Sequence, residues 1–155
     1  MNARFAKVVE SLDPSFSRLL AMEPVTPISL PKGMPKEGVY LFSEGRGHLY
    51  VGRSRDIRGR IARHSRPSAT HRMAAFAFRL AREATGHLVP SYTAEGSRSK
   101  LIKDPVFRNA FDQAKARIRT MDVRFVEEAE PVRQTILEIY VAVSLRTPYN
   151  DFSTH

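Results

Sequence analysis

Two short runs of β-forming residues lie close together in the first third of the chain. They are GVYLF (38–42) and HLYVG (48–52), and the SEGRG between them contains two glycines. Short β-rich runs separated by a glycine-containing loop of this length indicate a hairpin. The pattern predicts two antiparallel strands joined by a loop over residues 43–47.

The predicted loop length fixes a predicted register. It places Tyr40 opposite Tyr50 and Phe42 opposite His48, and strand alternation puts these four side chains on one face. The opposite face is then an apolar core face, formed by Val39, Leu41, Leu49 and Val51. Aromatic cross-strand pairs also stabilise ordinary sheets, so a tyrosine pair alone does not indicate a site.

Helical spacing and helix-boundary residues account for most of the remaining chain. Asp and Pro before an apolar-periodic run mark helix starts, and Gly86 marks a helix end. The segments 23–37 and 90–100 lack such periodicity and are predicted as an extended connector and a basic loop. Helices are predicted over 14–22, 56–64, 72–86, 104–118 and 131–145.

A third strand is predicted over TMDVRFVE (120–127), where Met121, Val123 and Phe125 alternate inward. The order of elements is then β-β-α-α-α-β-α after a helical N-terminal segment. This order predicts an α+β domain on a small sheet. We expect residues 1–30 to form a helical extension and linker, and residues 31–155 to form the main domain.

Composition narrows the functional classes. The chain has 155 residues, enough for one domain with a substantial core, and it has no cysteine. Disulfide frameworks and cysteine-based zinc sites are therefore excluded. No apolar run approaches the length of a membrane span, and the first residues lack the apolar core of a secretory signal. We expect a cytoplasmic protein with no membrane partner.

Charge is the strongest global signal. Lys and Arg number 25 against 16 Asp and Glu, a net charge of +9. Such an excess favours polyanion partners, although a well-solvated basic surface is the simpler alternative. Between residues 53 and 72 the only acid is Asp56, and arginine suits bidentate contacts with phosphate. The seven arginines of this segment are Arg53, Arg55, Arg58, Arg60, Arg63, Arg66 and Arg72.

Several of these residues together resemble the GIY-YIG nuclease superfamily. Gly38-Val39-Tyr40 and Tyr50-Val51-Gly52 match its two tripeptides, and Arg60 follows eight residues after Gly52. The resemblance covers roughly residues 38–151. It also includes His64 four residues after Arg60, His71 before the next helix, Glu138 in a late apolar helix and Asn150 shortly after it.

The resemblance implies a three-stranded antiparallel sheet flanked by helices, and an Mg²⁺- or Mn²⁺-dependent DNA endonuclease. Residues 1–30 have no counterpart in the minimal domain. Arg53 stands where many members have Lys, Ser or Gln. The implied supporting residues are Gly38, Gly52 and Asn150, although Asn150 after Pro148 could simply form a turn.

Glu138 is also singled out by its neighbours. It is the only charged residue between Arg133 and Arg146, in a strongly apolar helix. A buried carboxylate needs an ion pair, a metal or solvent, and a solvated stripe shared with Gln134 is the plainer alternative. Mg²⁺ keeps several waters and accepts a single protein carboxylate together with phosphate oxygens. We therefore expect a one-metal phosphodiester hydrolase with Glu138 as the metal ligand.

The expected catalytic roles follow from this assignment. Arg60 would offset charge on the phosphate, and Tyr40 would be the base, with Tyr50 orienting water or phosphate. A free phenol has a pKa near 10, but neighbouring cations favour phenolate. His64 would relay a proton or contact phosphate, unless it is a surface histidine without a role. DNA-backbone contacts are expected from Arg53, Arg55, Arg63, His71 and Arg72.

Two other functional classes stay open. One is a nucleic-acid-binding module of the same fold without catalytic activity. The other is a protein-interaction domain in which residues 1–30 dock on a partner. Phosphate binding predicts a steep dependence of affinity on salt, and protein interaction does not.

Overall fold

A computed structural model describes residues 1–87 and 97–153 of the chain. These residues form an α+β fold with a three-stranded antiparallel sheet, flanking helices and a helical N-terminal segment, as the sequence predicts. In chain order the elements are α1 (Ala3–Ser11), α2 (Asp13–Ala21), β1 (Gly38–Glu44), β2 (Gly47–Ser54), α3 (Ile57–Ser65), α4 (Ala75–Thr85), α5 (Arg98–Leu101), α6 (Pro105–Ile118), β3 (Asp122–Glu127) and α7 (Pro131–Leu145).

The predicted helix boundaries are confirmed where a capping residue sets them. The Asp56 carboxylate accepts a hydrogen bond from the Gly59 amide at 3.1 Å, and Asp104 accepts one from Val106 at 3.0 Å. Both side chains satisfy amides that the first helical turn leaves without partners. Gly86 ends α4 with φ 80°, a conformation that glycine adopts at low cost.

The hairpin register differs from the predicted one. Tyr40 pairs with Gly52 and Phe42 pairs with Tyr50, so Tyr40 and Tyr50 are diagonal neighbours rather than direct partners. The strands continue to Glu44 and from Gly47, which leaves a two-residue turn in place of the expected five-residue loop. Gly45, with φ 59°, makes this shorter turn accessible.

A β-bulge accompanies the shorter turn and moves His48 off the tyrosine face. The register shifts between Phe42 and Ser43, and Ser43 then pairs with His48. The extra residue is Leu49 on β2, and it reverses the face of the β2 side chains on the turn side of the bulge. The Ser43 hydroxyl lies 2.7 Å from His48 Nδ1. The expectation that His48 shares a face with Tyr40 is therefore wrong.

Both faces of the sheet are buried at its centre. The strand order is β2-β1-β3, and β1 and β3 approach so closely that a Cβ atom on Gly38 would lie 1.9 Å from the Val126 carbonyl oxygen. On one face α7 packs against β1 and β2. The core there is formed by Leu12, Leu19, Val39, Leu41, Val51, Val126, Leu137, Val141 and Ala142. On the other face Tyr40, Phe42 and Val123 are buried as well.

Helix α2 and the residue before it contribute to this same core. Leu12 and Leu19 are fully buried in it, and the Tyr140 hydroxyl donates a hydrogen bond to Asp13 at 2.5 Å. A domain boundary near residue 30 stays a prediction, but α2, which precedes it, contacts β3 and contributes Leu19 to the core of the sheet.

The chain divides into two compact units. The first comprises residues 1–60 and 121–150, and the second comprises residues 61–120 and 151–155. In the second unit α4 packs on α6 through Phe78, Phe107 and Phe111. Buried Lys115 donates hydrogen bonds to the carbonyl oxygens of Pro67 and Ala69, at 2.8 and 2.9 Å, which ties the segment after α3 to α6.

Two predicted segments are corrected within this second unit. The helix expected over 72–86 begins at Ala75, because Met73 and Ala74 donate their amides to the Thr70 carbonyl in a separate turn. Met73, expected in the buried stripe, is 38% exposed. The loop expected over 90–100 falls mostly outside the described residues, and Arg98–Leu101 at its end is helical. None of the helices in the described part of the chain has the length and apolarity needed to cross a membrane.

Candidate active site

The sheet brings Tyr40 and Tyr50 to one place in the first unit. Both lie on the same face of the hairpin, Tyr40 on the central strand with 2% exposure and Tyr50 half-buried on the edge strand. The Tyr40 ring crosses Gly52, where a Cβ atom would lie 2.2 Å from its hydroxyl oxygen. It also packs edge-on against Phe42, with ring centroids 5.7 Å apart. Gly52 therefore provides the space that the Tyr40 ring fills.

Arg60 and Glu138 join the tyrosines although they come from α3 and α7. Tyr50 and Glu138 both raise the pKa of Tyr40 and Arg60 lowers it, so all three act electrostatically on its hydroxyl. Arg60 also lowers the pKa of Glu138. Tyr50, Arg60 and Glu138 thus lie within electrostatic reach of the Tyr40 hydroxyl, the tyrosines on one face of the sheet and Glu138 on the helix that packs on the other. Together with Arg53 we call these four residues the candidate active site.

Glu138 forms an ion pair that the sequence did not predict. Arg53 Nε lies 2.9 Å from Glu138 Oε2, and the two side chains are 44% and 21% exposed. The alternative of a solvated stripe with Gln134 is wrong, because Gln134 is buried and donates to the Glu128 carbonyl at 2.7 Å. Glu138 is half-buried and paired with a cation, as a carboxylate in such a place must be.

Burial nevertheless dominates the protonation of Glu138. Loss of solvent raises the pKa of its carboxyl, and the charges of Arg53 and Arg60 only partly reverse this effect. The ionised form is therefore less favourable here than on the protein surface. A further cation close to this carboxylate would stabilise the ionised form.

Burial also governs Tyr40, contrary to the expectation that its surroundings favour phenolate. Desolvation is the largest influence and raises the pKa of Tyr40 well above its usual value of 10.0, while Arg60 lowers it. Glu138 raises it because a negative carboxylate opposes a second negative charge. In this arrangement Tyr40 is a neutral phenol.

Arg60 retains hydrogen-bonding capacity inside the cluster. Its Nε is buried and has no hydrogen-bond partner among residues 1–87 and 97–153. A buried N–H group without an acceptor is costly, and guanidinium groups bind phosphate oxygens well. The position thus suits an anionic ligand.

Asn150 holds the strand that carries Tyr50 and Gly52. Its side-chain oxygen accepts from the Val51 amide at 2.9 Å, and its side-chain nitrogen donates to the Val51 carbonyl at 2.8 Å. These two bonds satisfy the backbone groups of Val51 on the open edge of β2, between Tyr50 and Gly52. Thr147 adds a hydroxyl hydrogen bond to the same oxygen at 2.7 Å. Asn150 is thus more than a turn residue.

The other predicted site residues are distributed over both units. Arg55 is exposed in the first unit, and Arg63 and Arg72 are exposed in the second. His71 of the second unit lies in the turn before α4, where its carbonyl accepts from Arg98 at 3.1 Å. Burial first, and then Arg72 and Arg98, lower its pKa, so its ring is neutral near pH 7.

His64 belongs to the second unit and is not a surface residue. It is 1% exposed, and its ring packs edge-on against Phe76 with centroids 6.4 Å apart. The alternative of a surface histidine is therefore wrong. Direct contact with a DNA backbone would require this buried ring to become exposed.

The donor set allows a metal ion only with ligands from outside the protein. Among the described residues, no three His, Cys, Asp or Glu side chains are grouped to hold a metal. Glu138 offers a single carboxylate, whose Oε2 lies 2.9 Å from Arg53 Nε. A hard cation such as Mg²⁺ can bind one carboxylate and complete its shell with waters and phosphate oxygens. The residues present fit such an ion.

The Arg53–Glu138 ion pair is the main feature that sequence reasoning missed. In the ladder Arg53 pairs with Val39, so its side chain lies on the face against which α7 packs. Alternation along β2 could have indicated this face, since Val51 and Arg53 are two residues apart. The position of α7 on that face could not be read from the sequence.

Comparison of the chain with protein-family models, with curated proteins and with solved structures finds no significant match.

Proposed function

We propose that this chain is an Mg²⁺- or Mn²⁺-dependent endonuclease of the GIY-YIG type that hydrolyses DNA phosphodiester bonds. The observation that supports the proposal is that Tyr50, Arg60 and Glu138 all act electrostatically on the hydroxyl of Tyr40, all four residues belonging to the first unit. A phenol, a guanidinium and a single carboxylate are suited to hydrolysis of a phosphodiester held by one cation.

In this proposal Glu138 would hold the divalent ion, and waters and phosphate oxygens would complete its coordination. When bound, the ion supplies Lewis acidity toward the scissile phosphate. Arg60 binds a non-bridging oxygen and offsets the charge that builds up during hydrolysis. Its buried Nε without a protein acceptor supports this role.

Tyr40 orients the attacking water through its hydroxyl and acts as the base only when its surroundings become more positive. Burial and ionised Glu138 both oppose phenolate formation. A divalent ion on Glu138 would change that neighbour from a net negative to a net positive charge, which favours phenolate. Tyr50, diagonal to Tyr40, is placed to orient the same water or the phosphate.

DNA binding is assigned to arginines that face solvent. Arg55, Arg63 and Arg72 are exposed, and the net charge of +9 favours a polyanion. Backbone contacts of this kind supply affinity and little sequence information. The proposal therefore names DNA phosphodiesters as the substrate class without a preferred sequence.

Plasmid and branched-DNA nicking with and without Mn²⁺ tests the proposal. Wild type should cleave only with metal, and Glu138→Gln and Arg60→Ala should each lower the rate by about 10²- to 10³-fold. Exposed Glu127→Gln and Arg4→Ala make the same charge changes outside the candidate site and should cleave like wild type. Metal-independent cleavage, or loss of activity in the controls as well, would contradict the proposal.

A second candidate is a DNA-binding module without catalytic activity. Two observations favour it: Arg53 is ion-paired with Glu138, and Tyr40 is a neutral phenol. This candidate predicts salt-dependent DNA binding with no cleavage under any metal condition. In either case Arg63→Ala or Arg72→Ala should reduce the slope of log K against log salt by about 1 for each lost phosphate contact.

A further inference from the structure

The contact between Arg53 and Glu138 raises a question about how the candidate site acquires a metal. The proposed metal ligand is ion-paired with a guanidinium at 2.9 Å. A cation of the protein thus stands at the carboxylate that a divalent ion would use. This inference rests on the proposed role of Glu138.

We propose that Arg53 competes with the divalent cation for Glu138, so that metal binding and the ion pair alternate. Glu138 is only 21% exposed, and a carboxylate in that setting requires a cation close by. Arg53 is 44% exposed, so its side chain can leave the carboxylate for solvent at little cost.

Electrostatic repulsion opposes the presence of both Arg53 and a divalent ion at the Glu138 carboxylate. Arg60 already acts on Glu138, so a divalent ion that joined Arg53 and Arg60 would place four positive charges around one carboxylate. Departure of Arg53 relieves this repulsion. The guanidinium that leaves is then available to a DNA phosphate, the role that the sequence predicts for Arg53.

The position of Arg53 in the fold makes the exchange specific to this residue. It follows Gly52 on β2 and shares the α7 face with Val51, while Arg55 is exposed farther along the chain. Removing the Arg53 charge should therefore favour metal binding, whereas removing a distant charge should not. Arg53 thus acts on the metal site through Glu138 and is a positioning residue.

Mn²⁺ binding to the full chain without DNA, measured by electron paramagnetic resonance of free Mn²⁺, tests this inference. Arg53→Gln should bind Mn²⁺ about 3- to 10-fold more tightly than wild type, and Arg53→Lys should stay close to wild type. Arg46→Gln makes the same charge change in the exposed hairpin turn and serves as the matched control. It should bind Mn²⁺ like wild type.

Glu138→Gln separates this inference from the proposed function. If Mn²⁺ binding is lost in Glu138→Gln but is equal in wild type and Arg53→Gln, competition by Arg53 is refuted and the metal role of Glu138 stands. If Glu138→Gln binds Mn²⁺ like wild type, or if neither wild type nor Arg53→Gln binds it, the competition by Arg53 and the metal role of Glu138 are both refuted. The inference is supported if Arg53→Gln binds Mn²⁺ more tightly than wild type, Arg46→Gln does not, and the double variant Arg53→Gln with Glu138→Gln no longer binds it.

Discussion

Tyr40 lies directly opposite Gly52 in the β1–β2 ladder, and its ring occupies the space that a side chain at Gly52 would fill. The tyrosine of the first tripeptide and the glycine of the second are therefore one packing unit. The glycine is needed there for the close approach of an aromatic ring, since its backbone has no special conformation. This relationship links the sheet register to the geometry of the candidate active site.

Gly52→Ala should displace the Tyr40 ring and destabilise the fold. The new methyl carbon would lie 2.2 Å from the Tyr40 hydroxyl oxygen and 2.3 Å from Cζ, in a place where Tyr40 is 2% exposed. Overpacking of this kind costs about 1–3 kcal/mol. Urea denaturation measures the loss. Gly33→Ala, with nothing within 4 Å of the added carbon, should be nearly neutral. Equal stability of the two variants would show that Tyr40 moves without cost.

The Tyr40 hydroxyl should ionise only at strongly alkaline pH. Its pKa is raised in the folded protein, so the neutral phenol stabilises the fold below about pH 10 and this contribution is lost as pH rises further. A titration of phenolate absorbance measures this ionisation, and circular dichroism follows unfolding in the same samples. Tyr40→Phe should show one late-ionising phenol fewer than wild type and should retain Tyr140, whose pKa is raised by its hydrogen bond to Asp13. If the phenol that Tyr40→Phe removes from the titration is one that ionises near or below pH 10 in wild type, this assignment is contradicted.

Glu138→Gln should increase the free energy of unfolding at neutral pH, in addition to the slower cleavage that the proposed function predicts. The pKa of Glu138 is raised from 4.5, so its neutral form stabilises the fold below that pH and the stabilisation is lost as pH rises. The amide stays neutral, and the gain over wild type should therefore grow as pH rises from about 4 to about 7. Thermal unfolding over this range measures it, with exposed Glu127→Gln as the control. A variant that is less stable at every pH would mean that the Arg53 ion pair outweighs burial.

Asn150→Ala should loosen the edge strand that carries Tyr50. It removes both side-chain bonds to Val51, at 2.9 and 2.8 Å, and such a loss at a half-buried edge costs about 1–3 kcal/mol. Hydrogen exchange of the Val51 amide should become faster, and cleavage should fall without loss of the fold. Asn109→Ala, at an exposed position of α6, is the control. Unchanged protection of Val51 would mean that Asn150 does not hold this strand.

The parts of the fold that depend on short stretches of chain were predictable from sequence. Capping by Asp56 and Asp104, the helix end at Gly86 and the inward alternation of Met121, Val123 and Phe125 depend on residues within a few positions of one another. The α+β class follows from the order of such elements. The residues that cluster in the candidate active site were also selected from sequence, through spacing and resemblance.

The tertiary structure decided what depends on contacts between distant residues. The shorter turn and the one-residue bulge together moved the partner of Tyr40 by two residues, from Tyr50 to Gly52, because the registers of one hairpin differ by little in local sequence signal. The ion pair joins Arg53 to Glu138, 85 residues later in the chain, and the raised pKa of Tyr40 arises from burial and from charged groups on other elements of the fold. Sequence thus identified the chemical groups, and packing determined their protonation and their partners, since both depend on how much water the fold excludes.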